Sequence, residues 1–146
     1  MEFEYDVKEN EILLKRCYGT EERIEVPAQI EGMPVTVLAP YIFSQARREP
    51  DQKAAICGNQ VKEIVLPDTV REIGNYAFYG CYYLEALTLS HRTHDIAGGA
   101  FTGCRHLKNL TFRMEQAEGY CMKDVLSEVH HEMKVNLVYP NAVCTL

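Results

Sequence analysis

Several signals that would fix a chemistry are missing from this chain. No stretch approaches the ~20 consecutive apolar residues that span a bilayer, and the acidic start Met1-Glu2-Phe3-Glu4-Tyr5-Asp6 lacks the basic-then-apolar order of a secretory signal. As it stands, the sequence is expected to remain cytoplasmic, without membrane insertion. Basic clusters are also lacking. Lys and Arg number 15 against 21 Asp and Glu, giving a formal charge of −6, and the Arg47-Arg48 pair is diluted by Glu49 and Asp51. Nucleic-acid binding needs a basic patch, so that class is excluded. No GxSxG, HExxH, phosphate-loop or dinucleotide motif occurs, so no cofactor is expected. Cys17, Cys57, Cys121 and Cys144 show neither CxxC nor CxH spacing, and no metal site is expected from them.

What the chain does have is a repeat. Val61-Lys62-Glu63-Ile64-Val65-Leu66-Pro67 is followed by Ile73-Gly74-Asn75-Tyr76-Ala77-Phe78-Tyr79-Gly80-Cys81-Tyr82-Tyr83-Leu84. The pattern recurs through Leu87-Thr88-Leu89-Ser90 and Ile96-Ala97-Gly98-Gly99-Ala100-Phe101-Thr102-Gly103-Cys104-Arg105-His106-Leu107, and reopens at Leu110-Thr111-Phe112. The pairs 64/87, 87/110, 73/96, 78/101, 81/104 and 84/107 are each separated by 23 residues. A period in the twenties with apolar residues at fixed offsets describes a solenoid whose turns bury their apolar faces on one another. Within it, Ile64 and Leu66, Leu87 and Leu89, and Leu110 and Phe112 are expected to point inward along stacked parallel strands. Phe78 and Phe101 fill the wide part of the turn. Cys81 and Cys104, each after a Phe-x-Gly step, read as a short ladder of buried core thiols rather than a bridge.

At 146 residues, 47% hydrophobic and 25% charged, the chain is expected to form one soluble domain with a proper core. Residues 1–23 read as a capping hairpin: Phe3, Tyr5 and Val7 alternate with acids, Lys8-Glu9-Asn10-Glu11 turns, and Ile12-Leu13-Leu14 starts a second strand. Residues 24–60 form a divergent first repeat. Ile24-Glu25-Val26-Pro27 parallels Ile64-Val65-Leu66-Pro67, and Ile42-Phe43 parallels Ala77-Phe78. An insertion lies within Ser44 to Gln60, with a short helix expected near Lys53-Ala54-Ala55-Ile56-Cys57. Residues 61–112 are the regular repeats. In residues 113–146, Met122, Val125, Leu126, Val129 and Met133 have helical spacing. Val135 to Tyr139 and Ala142 to Leu146 then read as a terminal hairpin. The apolar end at Leu146 points to a short variant or a truncated chain.

The run Ile73-Gly74, Ala77-Phe78-x-Gly80-Cys81-x-x-Leu84, Leu87-x-Leu89 resembles the BspA-like leucine-rich repeat family, whose repeat is close to this length. The resemblance covers roughly residues 3–112. It departs at Leu38-Ala39, where Ile-Gly is usual, at Ala46, where Cys is usual, and at Ser90 in place of Pro. The fold it implies is an α/β solenoid, strand-rich, with a hairpin cap at the start and a helix and hairpin at the end. The function it implies is binding or adhesion, with no catalytic residues.

Three candidate sites follow. The open strand face comprises Glu63, Val65, Ala86, Thr88, Asn109 and Thr111, the positions between the buried ones, and would suit a protein or peptide. The tyrosine patch comprises Tyr76, Tyr79, Tyr82 and Tyr83, with Tyr41 from the preceding turn; exposed tyrosine is enriched at interfaces. A thiol enzyme would use Cys121 with His130 or His131, but at ~100° per residue neither histidine shares the face of Cys121 on a helix. The leading expectation is a non-catalytic interaction module, with a fragment of a bacterial cell-surface adhesin as the alternative. Exposed solenoid ends offer a route to homo-oligomers.

Overall fold

The structure is a computed structural model that describes residues 1–44, 55–56, 61–90, 92–114 and 132–139. Its elements are all strands and turns, and no α-helix occurs among the described residues. The architecture is therefore a strand-rich β-solenoid rather than the expected α/β one. The expected helical cap lies outside the described residues except at Glu132 and Met133, which are irregular.

The chain opens with strands β1 (Glu2–Lys8) and β2 (Glu11–Tyr18), paired antiparallel from Glu2↔Tyr18 to Lys8↔Glu11. Glu9 and Asn10 between them hold φ of 52° and 62°. Two consecutive left-handed residues make the tight turn whose twist matches that of the flanking strands. The same device, Glu31-Gly32 at 53° and 78°, joins β4 (Gln29–Ile30) to β5 (Met33–Leu38).

From there the chain winds through two sheets. One runs β1-β2-β5-β7-β9, with β4 attached to β5, β7 being Glu72–Ile73 and β9 Asp95–Ile96. The other is parallel and runs β3 (Arg23–Glu25), β6 (Glu63–Val65), β8 (Ala86–Ser90), β10 (Asn109–Arg113) and β11 (Lys134–Val138). Five stacked strands make about four turns. Each regular repeat gives one strand to each sheet and closes through a phenylalanine turn.

Those turns are not helical, for a hydrogen-bonding reason. Ala77, Tyr79 and Cys81 N–H donate three residues back, to Gly74, Tyr76 and Phe78 O, at 3.0–3.3 Å. The intervening Phe78 and Gly80 N–H donate instead to the next turn, to Ala100 and Thr102 O, at 2.8 and 3.0 Å. With alternate donors committed to a neighbour, the i→i−4 pattern of an α-helix cannot form. Gly80 and Gly103 take φ of 71° and 84°, and a Cβ on Gly103 would stand 3.2 Å from Gly80 N. Glycine is thus required where successive turns come closest.

The core lies between the sheets. Ile24, Ile64, Leu87 and Leu110 form one inward column and Leu66, Leu89 and Phe112 another, all at most 2% exposed. Phe43, Phe78 and Phe101 stack through the turns, with ring centroids 4.9 and 5.1 Å apart and planes 22° and 9° apart. Ser90, standing where Pro67 ends the previous strand, is buried, and its Oγ accepts from Arg92 N–H at 3.1 Å. A side-chain bond of this kind turns the chain where proline does so by its ring.

The cysteines split. Cys17 and Cys104 are free and buried, but Cys81 is disulfide-bonded, its other half lying outside the described residues. This corrects the expected thiol ladder. The period equates Cys81 with Cys104, whereas Cys57, Cys121 and Cys144 stand at no 23-residue spacing from it, so the period leaves no trace of the bond.

Burial, reinforced by the nearby Glu21 carboxylate, pushes the Cys17 thiol from 9.0 up to about 12. The folded state therefore keeps its proton while the unfolded chain loses it, and stability present below pH 9.0 falls as pH rises towards about 12. The slope contributed is at most ~1.4 kcal/mol per pH unit. Urea unfolding at rising pH should show a shallower loss for Cys17→Ala than for the wild type; equal slopes would show that Cys17 is not the group responsible.

Candidate functional site

The outward positions of the parallel sheet form two rows. Arg23, Glu63, Ala86, Asn109 and Lys134 stand in register across β3, β6, β8, β10 and β11, and so do Glu25, Val65, Thr88, Thr111 and Asn136. All six residues of the predicted strand face therefore come together at the centre of one sheet, each partly exposed, while Ile64, Leu87, Leu89, Leu110 and Phe112 point the other way. Alternation along a pleated strand produces this division.

Charge sits at the β3 end of both rows and at Lys134, and the middle is nearly neutral. Arg23 pairs with Glu63 at 3.1 Å and Glu25 at 2.9 Å. Asn136 Nδ2 donates to Thr111 Oγ1 at 3.5 Å. Between them lie Val65, Ala86, Thr88 and Asn109, a shallow patch of short side chains. Arg113 closes one margin by donating to Leu66 O and standing 3.2 Å from Asp68 Oδ1. Asn136 and the flanking charges were not among the predicted residues. Their signal is weak: Val135 follows its partner Leu110 by 25 residues instead of 23, so periodicity alone does not carry the register to β11.

The tyrosines occupy a different edge, on the phenylalanine turns. Tyr76, Tyr79, Tyr82 and Tyr83 are 38%, 39%, 40% and 53% exposed. Tyr41 stacks on Tyr76, with centroids 5.4 Å apart, and Tyr79 meets Tyr76 edge-on at 5.7 Å. Tyr41 and Tyr76 share left-handed φ of 62° and 57°, where the next repeat has Gly99 at 77°. The Tyr76 ring covers Gly99 so closely that no Cβ fits there. The Arg105 guanidinium lies 5.8 Å from the Tyr82 ring centre. Much of this ring area is thus engaged within the edge itself.

Among the described residues, no catalytic grouping emerges around the remaining candidates. Cys104 is buried and its thiol donates to Phe78 O at 3.2 Å, whereas exposed His106 bonds Tyr82 O. Cys121, His130 and His131 lie outside the described residues, as does most of the insertion; within it Ala55 and Ile56 are wholly buried. Among the described residues, no three His, Cys, Asp or Glu gather to hold a metal ion, and no helix is long and apolar enough to cross a membrane.

The two-sheet winding and its repeating turns agree with an independent match: the family model for the BspA type leucine rich repeat region aligns with residues 52–142, in 6 copies. The chain belongs to the BspA-type leucine-rich repeat family. A leucine-rich cell-surface protein of Faecalibacterium prausnitzii A2-165 is similar to this repeat chain over 97% of its length, at 20% identity and a TM-score of 0.53. The match covers 42% of that protein, so the BspA-type chain spans less than half of its neighbour's length. The likeness concerns the fold alone. A leucine-rich repeat protein of T. pallidum aligns with 94% of the chain and 80% of its own length, at 17% identity and a TM-score of 0.38. No curated protein matches.

Proposed function

We propose that this BspA-type chain is a non-catalytic interaction module, binding a protein or peptide on the outer face of its parallel sheet. The observation that carries this reading is the register of Glu63, Ala86 and Asn109 beside Val65, Thr88 and Thr111: a continuous, partly exposed, nearly neutral surface on a rigid support. Repeat solenoids use such extended faces for recognition. Three central strands offer a small contact, which suits modest affinity rather than a tight small-molecule site. The test compares capture of partners from the host's cytosolic and cell-surface fractions by wild type and by Thr88→Arg/Thr111→Arg; equal capture by both would remove the face assignment.

A second reading places the module at a bacterial cell surface, and the Cys81 disulfide favours it. Structural disulfides persist in oxidising compartments and are rare in reducing cytoplasm, which speaks against the cytoplasmic expectation. The cell-surface description of the Faecalibacterium protein agrees with this reading. An enzyme acting through Cys121 gains no support from the described residues.

A further inference from the structure

Val135 and Leu137 sit at core positions but are 37% and 45% exposed. They pair in register with Leu110 and Phe112, which are wholly buried. The two inward columns therefore run out of β10 into β11, where they stay exposed. Tyr139, two positions beyond Leu137, is 40% exposed as well.

Among the described residues, no strand pairs the far side of the β11 backbone. Lys134 N–H donates to Lys108 O, and Val138 O accepts from Met114 N–H, both at 2.7 Å. In a parallel ladder alternate residues turn both polar groups to one neighbour. Lys134, Asn136 and Val138 thus serve β10, and Val135 and Leu137 aim their N–H and C=O at the free edge. β11 is the last strand of its sheet among the described residues. An edge with both unpaired amides and exposed core side chains is a template for another strand.

The opposite end of the sheet decides which strand fits. At β3, Ile24 is 2% exposed, and Val26 just after it 4%. The core at that end is already covered, so head-to-tail stacking of copies, which would give open filaments, has no matching apolar surface. Pairing β11 with itself has one.

We propose that a second copy of this chain pairs its β11 antiparallel to the first, across a twofold axis at Asn136. Val135 then lies opposite the partner's Leu137, exchanging N–H···O=C bonds on each side of the axis through the groups left free by β10. Both side chains fall on the core face, so the two solenoid cores become continuous. Asn136 meets the partner's Asn136 on the outer face as a non-hydrogen-bonded pair, where side chains approach closely. Lys134 faces the partner's Val138, so no like charges oppose each other. The contact is isologous, as a twofold axis requires.

Sedimentation equilibrium of the full chain, from about 1 μM to 1 mM, should show a concentration-dependent species of twice 16.7 kDa. Leu137→Pro removes an N–H that points only to the free edge, a place where edge strands tolerate proline. It should weaken self-association at least about tenfold while leaving the melting temperature of the monomer within a few degrees. Leu137→Lys, which keeps the amide but puts a charge in the strip, should do the same and covers the case in which the proline variant fails to fold. A wild type monomeric throughout overturns the proposal, as does a dimer that survives both variants. Neither outcome bears on the outer-face reading, because the paired edge and that face use different atoms.

Discussion

Phe78→Ala should cost about 3–5 kcal/mol, the largest stability loss expected of any single truncation in this chain. The ring is wholly buried and stacked on both sides, 4.9 Å from Phe43 and 5.1 Å from Phe101. Removing it opens a cavity between two rings that are themselves fixed by their turns. Phe43 N–H is tied to Ala77 O at 3.0 Å and Phe78 N–H to Ala100 O at 2.8 Å. The neighbouring turns therefore cannot collapse into the gap without breaking the ladder that stacks them. Solenoid turns depend on their neighbours' interfaces, so damage at the middle ring weakens both adjoining interfaces at once. Against a net stability of roughly 5–15 kcal/mol for a domain, the variant should populate the unfolded state at growth temperature. Urea unfolding monitored by circular dichroism provides the measurement. A loss below about 1 kcal/mol would mean that Phe78 is not the keystone that the stacking makes it.

That prediction rests on residues whose role is legible from the sequence, because Phe78 and Phe101 are separated by one regular period. Legibility follows the period closely. The inward columns through Ile64, Leu87 and Leu110 and the outward positions between them repeat every 23 residues, and the structure places both as the period predicts. Features without that period were missed. The second sheet was missed because β7 and β9 are two-residue strands, too short to show alternation. The membership of β11 in the parallel sheet was hidden by its offset of 25, which made Val135–Tyr139 resemble half of a terminal hairpin. An α/β architecture was expected where the turns instead share their hydrogen bonds with neighbours, a choice made between turns and invisible within one. The Cys81 disulfide has its other half outside the described residues, and no 23-residue spacing marks it, so it too escaped.

The candidate site is a mixed case. Alternation is enough to say which residues face outward, and the face assembles as expected. Partner chemistry is another matter: Val65, Ala86, Thr88 and Thr111 are as well suited to bare solvent-facing strands as to a contact. A function of this kind lives in a site grafted on a fold, and short neutral side chains leave little chemistry to read.

Thr88→Arg with Thr111→Arg should therefore separate a working face from a merely exposed one. The two threonines are direct neighbours in β8 and β10, both partly exposed, at the centre of the rows. Two arginines there stand about 4.8 Å apart along the hydrogen-bonding direction. They bury the shallow patch under long side chains and add two like charges where the surface is nearly neutral. A partner shaped to short side chains would meet both a steric block and an unmatched charge, the repulsive element that specificity changes exploit. Affinity should fall by about 100-fold or more, equivalent to ~2.7 kcal/mol. Folding should be nearly untouched, within about 0.5–1 kcal/mol, because neither side chain points into the core and only strand propensity and mutual repulsion change. Binding measured by calorimetry against the captured partner, beside a thermal melt of the same protein, keeps the two effects apart. Lost affinity with an intact melt assigns the function to this face. Retained affinity moves the contact elsewhere, and its loss on Tyr83→Ala would then point to the tyrosine edge.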